Sequence, residues 1–407
     1  MKASQLFTKT TKSIPADETA KNAQLLIKAG YINKEMAGVY AFLPLGKMVL
    51  DNVVQIVREE MDSIGGNEIS LTALQQKAVW EVSGRWNDDV MDVWFKTKLA
   101  SGSELGLAPT HEEPLTSLMR RFINSYKDLP VYPYQFQTKF RNELRSKSGL
   151  MRGREFLMKD LYSFSKSQEE HDAFYEVISE AYNRVYSRLG IGEITYKTFA
   201  SGGSFSKYSH EFQTLSEVGE DTIFVHEAKK IAINQEVYND EVLSDLGVNK
   251  DDLKEVKAVE VGNIFTLGTK FSEPLELSFT DENGELKPVI MGSYGIGPSR
   301  LVGLIAEHFA DDKGLVWPEN ITPFKVYLAQ LGEEESVVNT CQDLYDELTN
   351  KGISVFWDDR NARPGEKFGD ADLYGFPYRV VVSPKTVEAG LFEVKKRTSD
   401  NTDMLSK

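Results

Sequence analysis

Between residues 46 and 64 the apolar side chains Val49, Val53, Ile56, Val57, Met61 and Ile64 recur at the spacing of one helix face, and Gly65-Gly66 supplies the stop. The pattern predicts an amphipathic helix, followed by a short strand at 68–71. Further on, QFQTKFRNEL (135–144) and REFLMKDLYSF (154–164) alternate apolar and polar positions. They read as two antiparallel strands joined by RSKSGLMRG, a glycine-bearing and basic tip. Helical periodicity returns over 168–189. From 228 to 257 the chain turns lysine- and acid-rich with weak periodicity, which predicts a small surface insertion. Beyond Pro323 the order KVYLAQL, SVVNTCQDLYDELTNKG, ISVFW, GEKFGDADLYG, YRVVVS alternates strand and helix. The expected fold class is α+β: a large antiparallel core over 1–320, then a separate α/β module over 321–407.

Composition narrows the chemistry. The 407 residues contain one cysteine, Cys341, and five scattered histidines, which excludes a disulfide framework and zinc sites built on several thiolates. No apolar run approaches the roughly 18 residues of a membrane span, and the first residues lack the apolar core of a secretory signal. A cytoplasmic protein with no membrane partner is expected. A formal charge of −15 argues against non-specific coating of nucleic acid. Within 139–166, however, eight basic residues (Lys139, Arg141, Arg145, Lys147, Arg152, Arg154, Lys159, Lys166) face three acidic ones, so a local anion site is plausible.

Three constellations carry candidate chemistry. In the hairpin, Phe140-Arg141-Asn142-Glu143 on the first strand precedes Arg152, Phe156 and Asp160, whose even spacing predicts one strand face. Arginine forks, an aromatic ring and a carboxylate on one sheet suit a nucleoside triphosphate; a solvated ladder of ion pairs is the bland alternative. In MGSYGIGPSR (291–300), three glycines followed by Pro298 and Arg300 describe a chain passing close to a ligand and turning into a helix, or merely a tight turn. In PTHEE (109–113), Thr110 and Glu112 project the same way from an extended segment and suit an ammonium or imino group, or else cap the following helix.

Phe140-Arg141-Asn142-Glu143 with Arg152, Phe156 and Asp160 resembles motif 2 of the class II aminoacyl-tRNA synthetases, and Gly295-Ile296-Gly297-Pro298-Ser299-Arg300 resembles their motif 3. With PTHEE, MRGREFLMKDLYSF (151–164), SHEF (209–212), VGNIFTLGTKFSE (261–273) and DDRNARPGEKFGDADLYGFP (358–377), the resemblance is to bacterial-type prolyl-tRNA synthetases and spans nearly the whole chain. It implies an antiparallel catalytic core followed by an anticodon-binding domain, and activation of L-proline with ATP and Mg²⁺ before transfer to tRNA(Pro). Thr110 and Glu112 would hold the imino group, and His210 would be a pocket wall. Arg141 would bridge the carboxylate and the α-phosphate, Glu143 would meet adenine or magnesium, Phe156 and Arg300 would sandwich adenine, and Arg152 and Arg300 would neutralise the triphosphate. Arg360, Arg363 and Lys367 would face the anticodon.

The resemblance further implies a homodimer. Thr72 stands where motif 1 ends its strand in proline, and Phe205-Ser206 where a glycine pair precedes SHEF. The large editing insertion that many bacterial relatives carry before motif 3 is replaced by 228–257, which implies that mischarged tRNA is cleared by a separate deacylase. Another class II synthetase and a non-catalytic RNA-binding paralogue remain the alternatives.

Overall fold

Nine strands build the sheet that carries the site: β1 (Asn67–Glu68), β2 (Pro133–Phe140), β3 (Glu155–Ser165), β4 (Thr195–Ser201), β5 (Tyr208–Leu215), β6 (Asp221–His226), β7 (Ile231–Asn234), β8 (Lys254–Gly268) and β9 (Ile290–Ile296). The computed structural model describes residues 1–144, 148–203 and 208–406. The strand order is β5-β4-β7-β6-β8-β9-β3-β2-β1, and an additional pairing of β5 with β8 closes five strands into a ring. All neighbours run antiparallel except β4/β7 and β1/β2.

The expected hairpin is present, with Tyr134 opposite Leu161 and Phe140 opposite Glu155. Its first strand stops at Phe140, so Arg141, Asn142 and Glu143 lie just beyond it rather than on it. The Arg141 amide still extends the ladder by one bond, to the Arg154 carbonyl at 2.8 Å.

One face of the sheet is covered by the helix Gln168–Arg188, started by Ser167, whose hydroxyl accepts from the Glu170 amide. The helix buries Phe174, Ile178, Tyr182 and Val185, each contributing about 1.5–3 kcal/mol on removal from water. The opposite face carries the site.

The segment 228–257 is not a surface insertion. It supplies β7, which sits between β4 and β6 in the main sheet, and the helix Asp240–Leu246. Ile233, Val237, Val242, Leu243 and Val248 form a small buried cluster there, against which Phe199 and Tyr208 pack. The apolar run of β7 is only Ile231-Ala232-Ile233, too brief to stand out in sequence among lysines and acids.

By contacts, the chain falls into two units, Val54–Ser146 with Met151–Leu301, and Met1–Val53 with Lys147–Leu150 and Val302–Lys407. This differs from a division at residue 320, because the first residues bond to the C-terminal module. The Met1 carbonyl accepts from the Trp357 amide at 2.9 Å, the Ser4 hydroxyl donates to Asp359 at 2.6 Å, and Tyr31 donates to the Tyr374 carbonyl at 2.8 Å.

The module itself is a five-stranded sheet in the order 355–358, 326–330, 378–382, 391–396, 403–406. The first three strands are parallel, as the β/α alternation predicts, and two antiparallel strands follow. Cys341 is buried in its core, and burial pushes its thiol up to about 12, which keeps it unreactive.

Candidate active site

Strand alternation assembles the site. Met158, Asp160 and Tyr162 of β3, Asn263 and Phe265 of β8, and Ser293 and Gly295 of β9 share one sheet face, and the register pairs Gly295 with both Asp160 and Asn263. These residues line a cavity of about 230 Å³ together with Thr110, Glu112, Arg141 and Glu143. Gly295 leaves room there: a Cβ would press on the ends of the Met158 and Asn263 side chains, lying 2.9 Å from Asn263 Oδ1. The helix Pro298–His308 begins directly after, with proline at its first position.

Glu112 is not on an extended segment; it opens the helix Glu112–Met119, while Thr110 remains outside. The two side chains nevertheless converge, the Thr110 hydroxyl standing 2.8 and 2.7 Å from the two Glu112 carboxylate oxygens. Tyr162 donates to Glu112 Oε1 at 3.3 Å. The motifs leave out Arg85, whose guanidinium lies 3.1 Å from Glu112 and 3.0 Å from Glu113. The local signal was an arginine bracketed by Trp80, Trp86 and Trp94, three side chains that cluster in the structure. Against its burial, Glu112 is held below the ordinary carboxylate range by Arg85 and by the Thr110 hydrogen bond. Burial and the neighbouring Glu112 instead push Glu113 up to about 7.

Arg141 faces the cavity with its Nε donating to the Pro109 carbonyl at 3.3 Å and its guanidinium 5.3 Å from the Phe156 ring centre. Burial, then the field of Arg300, weakens its hold on its proton. A buried cation with no carboxylate hydrogen-bonded to it among the described residues is poised for an anion. Arg300 donates to the Glu260 carbonyl at 2.6 Å and lies 3.6 Å from the Glu260 carboxylate. Glu260 also accepts from Asn263 at 2.9 Å. Glu211, opposite Asn263 in the register, is pushed up to about 8 by burial and by Glu260.

Below the cavity lies a buried polar chain. Lys139 Nζ is 2.7 Å from Asp160 Oδ1 and 2.6 Å from His111 Nδ1, and His111 Nε2 is 3.1 Å from the Thr72 carbonyl. Burial, and then Lys139, pull His111 down to about 4. Lys139 and Lys159 are both fully buried, so two of the eight basic residues of 139–166 add nothing to a surface field. Lys159 points to the opposite face and donates to the Tyr182 hydroxyl at 2.6 Å.

Three expected residues, Arg152, His210 and Lys367, sit otherwise than their spacing predicts. Arg152 precedes β3 and is not in line with Phe156 and Asp160; it is exposed and paired with Glu143 at 2.8 Å and Glu220 at 2.9 Å. His210 is not a wall of this cavity. Its register with Ile264 turns it to the helix-covered face, where it borders a second cavity of about 250 Å³ and bonds to the Tyr175 hydroxyl at 2.8 Å. In the module, Lys367 is buried, its ammonium donating to the carbonyls of Gln330 at 2.6 Å and Asp358 at 3.0 Å. It shapes the floor of a cavity of about 580 Å³ rather than offering charge to solvent. Arg360 borders the same cavity and is held by Asp358 and Asp370 at 2.7 and 2.8 Å, while Arg363 is exposed at the start of the helix Pro364–Tyr374. Arg145, Lys147, Phe205 and Ser206 lie outside the described residues.

Comparison with known proteins bears on this geometry directly. Residues 95–309 match the family described as tRNA synthetase class II core domain (G, H, P, S and T), and residues 325–407 match the family described as Anticodon binding domain. The proline–tRNA ligase of Bartonella tribocorum is 36% identical over 425 residues, covering 98% of this chain and 96% of that protein. That of Rickettsia akari is 37% identical over 418 residues, covering 99% and 97%. With the Listeria welshimeri ligase the identity is 32% and the aligned span is 547 positions, longer than this chain, so that protein carries a large insertion that this chain lacks. The crystal structure of prolyl-tRNA synthetase from Cryptosporidium parvum complexed with L-proline and AMP shares the fold, with a TM-score of 0.76 at 18% identity, covering 95% of this chain and 72% of that one. The chain belongs to the prolyl-tRNA synthetases, class II aminoacyl-tRNA synthetases that ligate proline to tRNA.

Proposed function

We propose that the cavity bordered by Thr110, Glu112 and Arg141 is where this chain, as a proline–tRNA ligase, condenses L-proline with ATP to prolyl-adenylate before passing the prolyl group to the terminal ribose of tRNA(Pro). The observation that carries this reading is a carboxylate and a guanidinium facing one small cavity, complementary to the two charges of an amino acid. Glu112, with the Thr110 hydroxyl, receives the imino group, and Arg141 receives the carboxylate and then the α-phosphate. The proline carboxylate attacks phosphorus in line and pyrophosphate leaves; no protein nucleophile is needed. Catalysis is positioning plus fixed charge on a preformed sheet. Phe156 and Arg300 flank adenine, Arg152 and Arg300 meet the triphosphate, and Glu143 sits at the rim. Exchange of labelled pyrophosphate into ATP that is driven best by proline, with only weak exchange from smaller amino acids such as alanine, tests the reading.

The carboxylates that would hold magnesium are Glu143, paired with Arg152, and the pair Glu211 and Glu260, the latter 3.6 Å from Arg300. Burial and then the neighbouring Glu260 push Glu211 up to about 8, the response of a carboxylate crowded by another. When bound there, Mg²⁺ would offset the charge of the phosphates.

The module 321–407 reads the anticodon through Arg360 and Arg363, with 1–320 as the catalytic part. Arg360→Ala and Arg363→Ala are expected to raise the KM for tRNA roughly tenfold each while leaving pyrophosphate exchange unchanged, since each removes about 1–3 kcal/mol of base contact. Equal charging kinetics in variants and wild type would return these side chains to a solvated loop. The tRNA substrate makes the cytoplasm the expected location. Exposed Leu74, Val82, Val90 and Leu99, soon after Thr72, support a homodimer.

Alanine differs from proline by missing methylenes, which a pocket rejects by only about 1–3 kcal/mol each. Because β7 and its small core are consumed by the sheet, 228–257 offers no separate hydrolytic pocket. Alanyl-tRNA(Pro) made by this chain is therefore expected to persist until a separate deacylase acts. Preformed alanyl-tRNA should decay equally fast with and without the enzyme, and clear acceleration would reveal a hydrolytic site.

A further inference from the structure

A single guanidinium answers two buried carboxylates at the edge of the cavity. Arg85 Nη1 bonds Glu112 Oε2 at 3.1 Å and both oxygens of Glu113 at 3.0 Å. It is fixed between the rings of Trp80 and Phe271, 5.4 and 5.3 Å from their centres. The two glutamates are not equivalent. Glu112 lines the cavity and takes the Thr110 hydroxyl, whereas Glu113 is fully buried behind it and takes the Ser83 hydroxyl at 2.7 Å. Adjacent carboxylates in a dry site do not both ionise readily, and one cation compensates only one of them.

We propose that Arg85 is a positioning residue for proline: clamped between the Trp80 and Phe271 rings and bonded to both glutamates, it fixes the cavity-facing Glu112 carboxylate and offsets the charge of the pair. This rests on the reading in which Glu112 receives the imino group. The cationic nitrogen of proline then meets an acceptor that is ionised and fixed before it arrives. The other groups facing the pair are unequally placed. Tyr162 reaches Glu112 only, Lys270 lies in the field of Arg85 and Glu113, and Arg141 across the cavity feels Glu112. His111, between the strand ends and the pair, is kept neutral by burial and Lys139.

Without the guanidinium the pair binds its proton more tightly and shares it between both carboxylates. In Arg85→Met the KM for proline is expected to rise roughly ten- to hundredfold, the range of one lost hydrogen bond to a charged group, with the KM for ATP unmoved. That KM should fall again as the pH is raised from 6.5 to 8.5, because deprotonating the pair restores the charge on Glu112; the wild type should vary less. Arg85→Met/Glu113→Gln removes the competing acid along with the cation, leaves Glu112 as the one carboxylate of the pair, open to the charge of proline, and should recover much of the proline KM.

A purely structural arginine predicts no such rescue and no change in pH profile. Equal proline KM in the single and double variants, or in Arg85→Met and wild type, would overturn the proposal. Glu112→Gln separates it from the reading beneath. If that change leaves the proline KM alone, the assignment of Glu112 falls and the proposal with it. If it raises the KM while Arg85→Met does not, the role of Arg85 alone falls.

Discussion

Arg141→Ala is expected to lower proline-dependent pyrophosphate exchange by at least about 10²–10³-fold, the cost of removing one fixed donor at a developing anion. The expectation rests on an imbalance in the unliganded cavity. Arg141 has the Pro109 carbonyl and the Phe156 ring as partners, while burial and Arg300 both act against its charge. Holding a guanidinium there costs stability, and the arrangement makes sense only if an anion compensates it. Removing Arg141 relieves burial and repulsion with Arg300 but forfeits attraction to Glu260, Glu112 and Glu143, so thermal stability should be nearly unchanged. Loss of exchange with a nearly unchanged melting temperature is the expected pair of results. Normal exchange in a folded Arg141→Ala protein would remove Arg141 from the chemistry.

Sequence made the frame of the site legible because the frame is periodic. The alternation of β3, the glycines of β9 and the proline after them are local signals, and each appears where expected. What local pattern could not supply was partnership. Lys139 and Lys159 look alike in sequence, yet one lies on the cavity side against Asp160 and the other on the helix side against the Tyr182 hydroxyl. Arg152 and Lys367 show the same limit of local pattern. Four-residue spacing placed Arg152 on a strand that begins only at Glu155, and nothing near Lys367 announces that two backbone carbonyls consume its charge. His210 turned on register, since one step along β5 exchanges it for Glu211 on the site-bearing face. Arg85 went unread because its partners, Glu112 and Glu113, lie far along the chain and no motif of the family's core contains it.

Lys139→Met is expected to be the most destabilising single change considered, by roughly 3–5 kcal/mol, as when one partner of a buried ion pair is removed. Lys139 is fully buried, and without it the Asp160 carboxylate, nearly buried at the cavity wall, keeps as its hydrogen-bond donor among the described residues the Gln135 amide at 3.0 Å. An exposed pair such as Lys47 with Asp51, each more than half exposed, is worth about 0.3–0.5 kcal/mol by contrast. The urea midpoint should therefore drop sharply for Lys139→Met and hardly at all for Lys47→Met. The double variant Lys139→Met/Asp160→Asn should regain a large part of the loss, because it strands no charge.

The deficit should also narrow on acidification. In the wild type Lys139 opposes protonation of His111, whose Nδ1 lies 3.9 Å from Asp160. With the lysine gone that opposition ends and the imidazole binds its proton more readily in the folded state, so below its titration it supplies the missing positive charge to Asp160. As pH rises through that titration the substitute charge is lost again. Midpoints measured at pH 5 and pH 8 should then differ less from wild type at pH 5. A variant as stable as wild type at both values would mean that Asp160 does not need the ammonium, and that the chain from Thr72 through His111 to Asp160 is held by packing rather than by charge.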